Sequence, residues 1–222
     1  MHGEWLQIPT YSIFTSPSLR VLLPDTNGMN AALKILRNGG VVAHATETCY
    51  GFACDLRNPA AVAKLFAIKQ RPLDQPVSAL FSSVNEAKKY VQWSAEAQNL
   101  ADEYLPGPLT IILPLNRGSL LSSCPLQSPS PTLGIRISSH PLSQQLIQRF
   151  GSPLSTTSAN IHGYSNPYST EDILRQFSHQ EHQPDLILDS GPLPQTPPST
   201  VIDLTQNTGD ILRKGIVQVP KK

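Results

Sequence analysis

The run Ser155-Thr156-Thr157-Ser158-Ala159-Asn160 puts five hydrogen-bonding side chains into six positions, directly after an apolar strand start. Loops of Ser, Thr and Asn are common. A run that begins inside a core strand instead favours a site lined with hydroxyl and amide groups, suited to phosphate, ribose or an amino acid. Lys69-Gln70-Arg71 closes a helix ahead of the rigid Pro72 and Pro76. The helix dipole alone favours cations there; their other use is a phosphate clamp, a point charge from Lys and a planar fork from Arg. Gly134-Ile135-Arg136-Ile137 sets an arginine within an apolar strand, where it needs an anion. That anion is a core carboxylate such as Asp189 or Asp203, or part of a ligand, and the two readings weigh about equally. Thr46 and Thr48 follow a buried strand and project on one face by the two-residue period. They hold the polar end of a small substrate or, more commonly for such residues, close a turn onto the backbone. Pro198-Ser199-Thr200 enters a strand and Ile211-Leu212-Arg213-Lys214-Gly215 leaves one; Arg213 alone reads as a solvated side chain.

These groups do chemistry together only if the fold gathers them. Val41–Ala45, Val77–Phe81, Leu109–Leu115, Leu133–Ile137, Pro153–Thr157, Leu186–Asp189, Thr200–Leu204 and Ile211–Arg213 are short, nearly all-apolar runs that read as strands, with a marginal one at Leu19–Leu23. Helices alternate with them. One is capped by Asn30 and ended by Gly39-Gly40, and one begins at Asn58-Pro59. Others cover Asn85–Val91, Ser94–Leu105 and Pro141–Phe150, the last closed by Gly151, and a short one starts near Thr170. The alternation predicts a single α/β domain whose sheet is covered on both faces, with ligands at the loops where strands end. Residues 1–28 and the Ser/Pro/Leu stretch 117–131 read as irregular.

The chain has 222 residues and 39% hydrophobic content, enough for one substantial core. Seventeen Lys and Arg against sixteen Asp and Glu leave no broad basic face of the kind that lives on nucleic acid, although RNA contact through a local patch stays open. Cys49, Cys54 and Cys124 lack disulfide-framework spacing and fit a reducing, cytoplasmic setting. The N-terminus does not read as a signal peptide, and no apolar run is long enough for a membrane. A dinucleotide glycine turn, a Walker loop, a zinc-spaced Cys/His set and a nucleophile triad are all missing. An enzyme of this kind works by binding and positioning anionic substrates.

Taken together the runs are specific. Ala45-Thr46-Glu47-Thr48-Cys49-Tyr50-Gly51, Lys69-Gln70-Arg71-Pro72, Leu105-Pro106-Gly107-Pro108-Leu109-Thr110, Gly134-Ile135-Arg136, Ser158-Ala159-Asn160, Pro198-Ser199-Thr200 and Ile211-Leu212-Arg213-Lys214-Gly215 resemble, in order, the YrdC domain of threonylcarbamoyl-adenylate synthases in its short form. The resemblance implies a three-layer α/β fold, with a twisted mixed sheet, helices on both faces and a large concave cavity. It implies an N-terminal extension over 1–28, the YrdC-like domain over 29–217 and a tail over 218–222. It further implies that L-threonine, bicarbonate and ATP, the last carrying Mg²⁺, become threonylcarbamoyl-AMP and pyrophosphate. Partner proteins then move the threonylcarbamoyl group to tRNA beside the anticodon. At the matching positions, Lys69 and Arg71 engage the triphosphate as the catalytic pair, with Thr132, Ser158, Asn166 and Arg213 also on the nucleotide side. Thr48, Arg136, Thr156 and Ser199 hold threonine, Arg136 pairs with its carboxylate, and Thr46 lines the same face. Ala45 and Ser138 stand where relatives usually carry Pro, and Leu80 where some carry His. The alternative is a non-catalytic member of the same fold that binds double-stranded RNA.

Overall fold

The computed structural model describes residues 19–72, 75, 77–119, 121, 132–206 and 209–219. The elements in chain order are β1 (Val21–Leu22), α1 (Thr26–Arg37), β2 (Val42–Ala45), β3 (Tyr50–Ala53), α2 (Pro59–Lys69), β4 (Ser78–Leu80), α3 (Val84–Ala87) and α4 (Ala95–Tyr104). There follow β5 (Leu109–Pro114), β6 (Thr132–Arg136), α5 (Pro141–Phe150), β7 (Leu154–Ser158), α6 (Thr170–Phe177), β8 (Leu186–Leu188), β9 (Thr200–Asp203) and β10 (Asp210–Arg213). The strands form one mixed sheet in the order β1-β8-β2-β3-β7-β4-β6-β5-β9-β10.

Local chemistry sets most element ends. Asn58 Oδ1 accepts from the amides of Ala60 and Ala61, and Pro59 opens α2. Pro141 opens α5, and Gly151 closes it at φ 80°, a left-handed turn that glycine adopts without strain. Helix α3 ends at Ala87, four residues short of the expected Val91, which bridges to Leu115, and two further elements depart from expectation. Helix α1 starts four residues before Asn30: Asp25 is its cap, accepting from the Gly28 amide at 2.8 Å, and Asn30 lies within the helix, accepting from Arg149. Asp and Asn cap equally well, so residue type did not decide; β1, paired with β8, delivers the chain to the helix earlier. Strand β3 was not expected, because Gly51 at its centre reads as a turn. Pairing with β2 on one side and β7 on the other holds it extended. The expected loop over 117–131 lies largely outside the described residues, as does Cys124.

Helices cover both faces. Directly paired residues share a face, so His44 and Gly51 lie on one side of the sheet, and Ala43 and Phe52 on the other. On the first side α5 packs over β2, where Ser143 meets His44. On the second, Phe52 meets Phe177 of α6 edge to face, with ring centroids 5.4 Å apart. The second side continues as a dry layer of Ala79, Ile111, Leu113, Ile135 and Ile202. Across β7, β4, β6 and β5 the first side is largely polar, and among the described residues no helix contributes to the lining of the cavity described below. No described helix is long and apolar enough to cross a membrane.

His44 is fully buried. Its Nδ1 faces the Ala45 carbonyl at 3.1 Å, an acceptor, so Nδ1 carries the proton of a neutral ring and Nε2 is left without a partner. Burial pushes its pKa down to about 4, with the Ala45 carbonyl pulling weakly the other way. Unfolded His44 takes a proton near pH 6.5, so the folded state is fully favoured above that pH and loses stability as pH falls towards 4. Urea unfolding at pH 5 is expected to show about 2 kcal/mol less stability from this group than at pH 7.5. In His44→Gln that part of the pH dependence is expected to vanish.

Candidate active site

Alternation along six neighbouring strands builds one concave polar surface. Gly51 of β3, Thr156 and Ser158 of β7, Ser78 of β4, Thr132, Gly134 and Arg136 of β6, Thr110 and Ile112 of β5, and Val201 of β9 all line a cavity of about 300 Å³. Glycine is required at 134, because a Cβ there would sit 2.5 Å from Ser78 Oγ. The hairpin loop after β2 adds Thr46, Thr48 and Cys49, the chain before β4 adds Arg71, and the segments flanking β9 and β10 add Ser199 and Arg213. Asn166, from the loop after β7, completes the rim. Ten of the eleven residues singled out from the sequence therefore meet in one hollow, although they span positions 46 to 213.

Arg136 is 4% exposed, and its partner is neither Asp189 nor Asp203. Asp189 instead accepts from Thr170 and the Gly191 amide, and Asp203 from the Thr205 amide. Arg136 Nη2 donates to Glu47 Oε1, while Ser138 Oγ donates to Glu47 Oε2. Among the described residues, buried Arg136 Nη1 has no hydrogen-bond partner. A buried guanidinium nitrogen in that state is costly unless a ligand oxygen reaches it. Half of each sequence reading therefore holds: Arg136 is in a structural ion pair, and one of its edges is left over.

Thr46 closes the turn and also faces the cavity. Its Oγ1 donates to Cys49 O at 2.7 Å and accepts from the Thr48 and Cys49 amides, which closes the hairpin, yet the residue lines the cavity. Arg213 is not simply solvated. Its Nε and Nη2 donate to Ser199 O and Oγ at 3.0 and 2.7 Å, and Ser199 Oγ lies 3.1 Å from Thr110 Oγ1. Glycine at 215 lets this crossing occur, since a Cβ there would lie 2.1 Å from Pro198 O.

Lys69 is the residue that does not line the cavity. It is 2% exposed, and its Nζ lies over the Phe52 ring, on the face turned away from the hollow. The Nζ donates to Ser158 O at 2.5 Å, Asn160 O at 2.8 Å and Asn160 Oδ1 at 3.2 Å. Asn160 Oδ1 also accepts from Ser158 Oγ, and Asn160 Nδ2 donates to Tyr164 O. Lys69 thus ties the Ser158-Ala159-Asn160 wall from behind. Burial, and then the Arg71 charge, lower its pKa to about 7. Three acceptors matched to three N–H groups hold the ammonium form against that pull. Burial and the Arg213 charge lower the Arg71 pKa as well, so positive charge is concentrated at this end. Cys49 stays a thiol, its pKa pushed up by burial to about 11. Among the described residues no group of three His, Cys, Asp or Glu is placed to hold a metal.

This geometry has known counterparts. The family model described as telomere recombination, covering Sua5, YciO and YrdC, matches residues 34–215. The chain belongs to the Sua5/YciO/YrdC family. A Methanocaldococcus jannaschii protein named, provisionally, threonylcarbamoyl-AMP synthase is 32% identical over 188 residues, which cover 85% of this chain and 86% of that protein. The structure of E. coli YciO superposes with TM-score 0.78 at 29% identity, covering 90% of this chain and 96% of that one. P. abyssi Sua5 complexed with L-threonine superposes with TM-score 0.77 at 28% identity, covering 89% of this chain. This chain spans 57% of the length of that Sua5.

Within the Sua5/YciO/YrdC pattern, Ser138 turns out to matter, since its hydroxyl takes one oxygen of Glu47. Leu80 is fully buried beside Arg136 in the sheet register and stays out of the cavity lining. Sequence reasoning missed Glu47, Ser78 and Thr110 as parts of the site. Both Glu47 and Thr110 sat inside quoted motifs; a hydroxyl within an apolar run was the available signal for Thr110, and a carboxylate beside two threonines after a buried strand for Glu47. Nothing in the sequence near Ser78 marks it, because Gly134 exposes it from another strand.

Proposed function

We propose that this protein joins L-threonine, bicarbonate and ATP into threonylcarbamoyl-AMP, releasing pyrophosphate. The observation that carries the reading is the buried, unpartnered Nη1 of Arg136 in a cavity otherwise lined with hydroxyls. Such a nitrogen suits an amino-acid carboxylate, and Thr48, Thr156 and Ser199 beside it suit the ammonium and hydroxyl groups. Thr46 serves the same end by closing the hairpin that presents Thr48. Arg71, Thr132, Ser158, Asn166 and Arg213 form the nucleotide side, with Lys69 supplying charge and rigidity behind it. The threonine-bound P. abyssi Sua5 supports threonine as the amino acid, and relatives named threonylcarbamoyl-AMP synthase support the product.

The chemistry follows from these groups. The deprotonated threonine amine attacks the carbon of bicarbonate, water leaves, and a carbamate forms. A carbamate oxygen then attacks the α-phosphorus of ATP, and the bond to the β-phosphate bridging oxygen breaks to release pyrophosphate. Both reacting groups are anions. Arg71 and Arg213 offset their repulsion and the charge that develops on the leaving group. Binding threonine beside ATP converts an encounter of three solutes into one between neighbours. Mg²⁺ brought in with ATP would supply further neutralisation of phosphate charge beside Arg71 and Arg213. Downstream transferase proteins consume the adenylate and modify tRNA. The flanks at 1–28 and 218–222 are not assigned a part in the reaction.

An RNA-binding role without catalysis is disfavoured by the same facts. Arg136 and Lys69 are almost fully buried and so cannot meet RNA phosphates, and the net charge is +1. Pyrophosphate release by the pure protein is expected to require ATP, L-threonine and bicarbonate together. No release from the complete mixture, with a working synthase run in parallel, would overturn the proposal.

A further inference from the structure

We propose that Glu47 is a positioning residue, locked by Ser138, that orients Arg136 so that the guanidinium offers a single edge to its ligand; the ligand part of this rests on the function proposed above. Glu47 sits in the four-residue hairpin loop between β2 and β3, and Arg136 ends β6, three strands away in the sheet. Both oxygens of Glu47 are engaged, one by Arg136 Nη2 and one by Ser138 Oγ, two residues beyond Arg136. Ser138 Oγ also accepts from the His140 amide at 3.1 Å, so the hydroxyl is itself fixed at the start of α5. The hairpin beneath Glu47 is closed by Thr46, and Thr48 O is held by Thr196. Both carboxylate oxygens, and the hydroxyl that holds one of them, are therefore tied.

The consequence falls on Arg136. An arginine free at its tip would meet a carboxylate with both terminal nitrogens in a fork. Here Nη2 is already taken, and Nη1 is the buried nitrogen without a hydrogen-bond partner among the described residues. Glu47 does not line the cavity, so it acts on the ligand only through Arg136. It keeps the guanidinium plane still and keeps a buried cation balanced while the site is empty. Ser138, where relatives carry Pro, is what allows a hydroxyl to complete the lock in this chain.

The test uses calorimetry and guanidinium NMR on the full-length protein. Glu47→Gln keeps the shape and is expected to weaken L-threonine binding about tenfold while leaving ATP binding within about twofold. Ser138→Ala is expected to move the same constant in the same direction by about threefold, and it remains informative if Glu47→Gln fails to fold. In an Arg136→Lys background the Glu47 effect is expected to vanish, because the two act as one unit. Independently of any ligand, the Arg136 Nη protons are expected to be resolved in the wild type, where rotation is blocked, and averaged in Glu47→Gln. Unchanged or tighter threonine binding in Glu47→Gln would overturn the inference, as would unaltered Arg136 signals. A wild-type protein that binds no threonine would sink the proposed function, while the NMR comparison would still decide the positioning role.

Discussion

Arg136→Ala is expected to weaken L-threonine binding by about a hundredfold or more while changing ATP affinity by less than about threefold. The size follows from burial. The guanidinium is 4% exposed, and its interaction with a carboxylate is not shared with water. The selectivity follows from placement: Arg136 ends β6, beside Thr110 in register, whereas Arg71 comes from the segment after α2. Removing Arg136 also strands the Glu47 carboxylate, so a loss of about 3 kcal/mol in stability is expected alongside. Arg136→Ala/Glu47→Ala removes both charges and is expected to recover part of that stability but none of the threonine binding. Titration calorimetry with threonine and then ATP, with urea melts, separates the effects. Normal threonine binding by a folded Arg136→Ala protein would show that the amino-acid site lies elsewhere.

Lys69→Ala is expected to do the reverse, weakening ATP binding by tenfold or more with threonine affinity nearly unchanged. The lysine does not line the hollow, so its effect travels through what it holds. Truncation leaves Ser158 O, Asn160 O and Asn160 Oδ1 without their shared donor and removes a buried charge behind the nucleotide side. A stability loss of about 3 kcal/mol is expected with it. Lys69→Met keeps most of the stem volume and is expected to recover packing without recovering ATP binding. Full ATP affinity in Lys69→Met would mean that the ammonium serves folding alone.

Much of this molecule was legible from local patterns. Asn58-Pro59 and Pro141 with Gly151 mark helix ends by chemistry acting within a few residues, and they hold. The apolar runs at Leu109 and Leu133 mark strands buried between layers. The motifs around Thr46, Arg71, Arg136, Ser158, Ser199 and Arg213, with the family resemblance they carry, named ten cavity residues.

What failed did so for one kind of reason. Strand β3 exists because β2 and β7 flank it, and Gly51 alone cannot announce that. Helix α1 is capped by Asp25 rather than Asn30 because β1 has a distant partner in β8. Arg136 was known to need an anion, but Glu47, 89 residues earlier, became that anion only when the hairpin folded over the end of β6. Lys69 looked like a cavity cation, and the end of α2 put it over Phe52, behind the wall. The sequence by itself determined which side chains have the charge and hydrogen-bonding capacity to bind an amino acid and a nucleotide. Which donor is satisfied internally, and which is left for a ligand, was decided by the tertiary structure, because a buried group's partner is set by proximity in space and not by spacing along the chain.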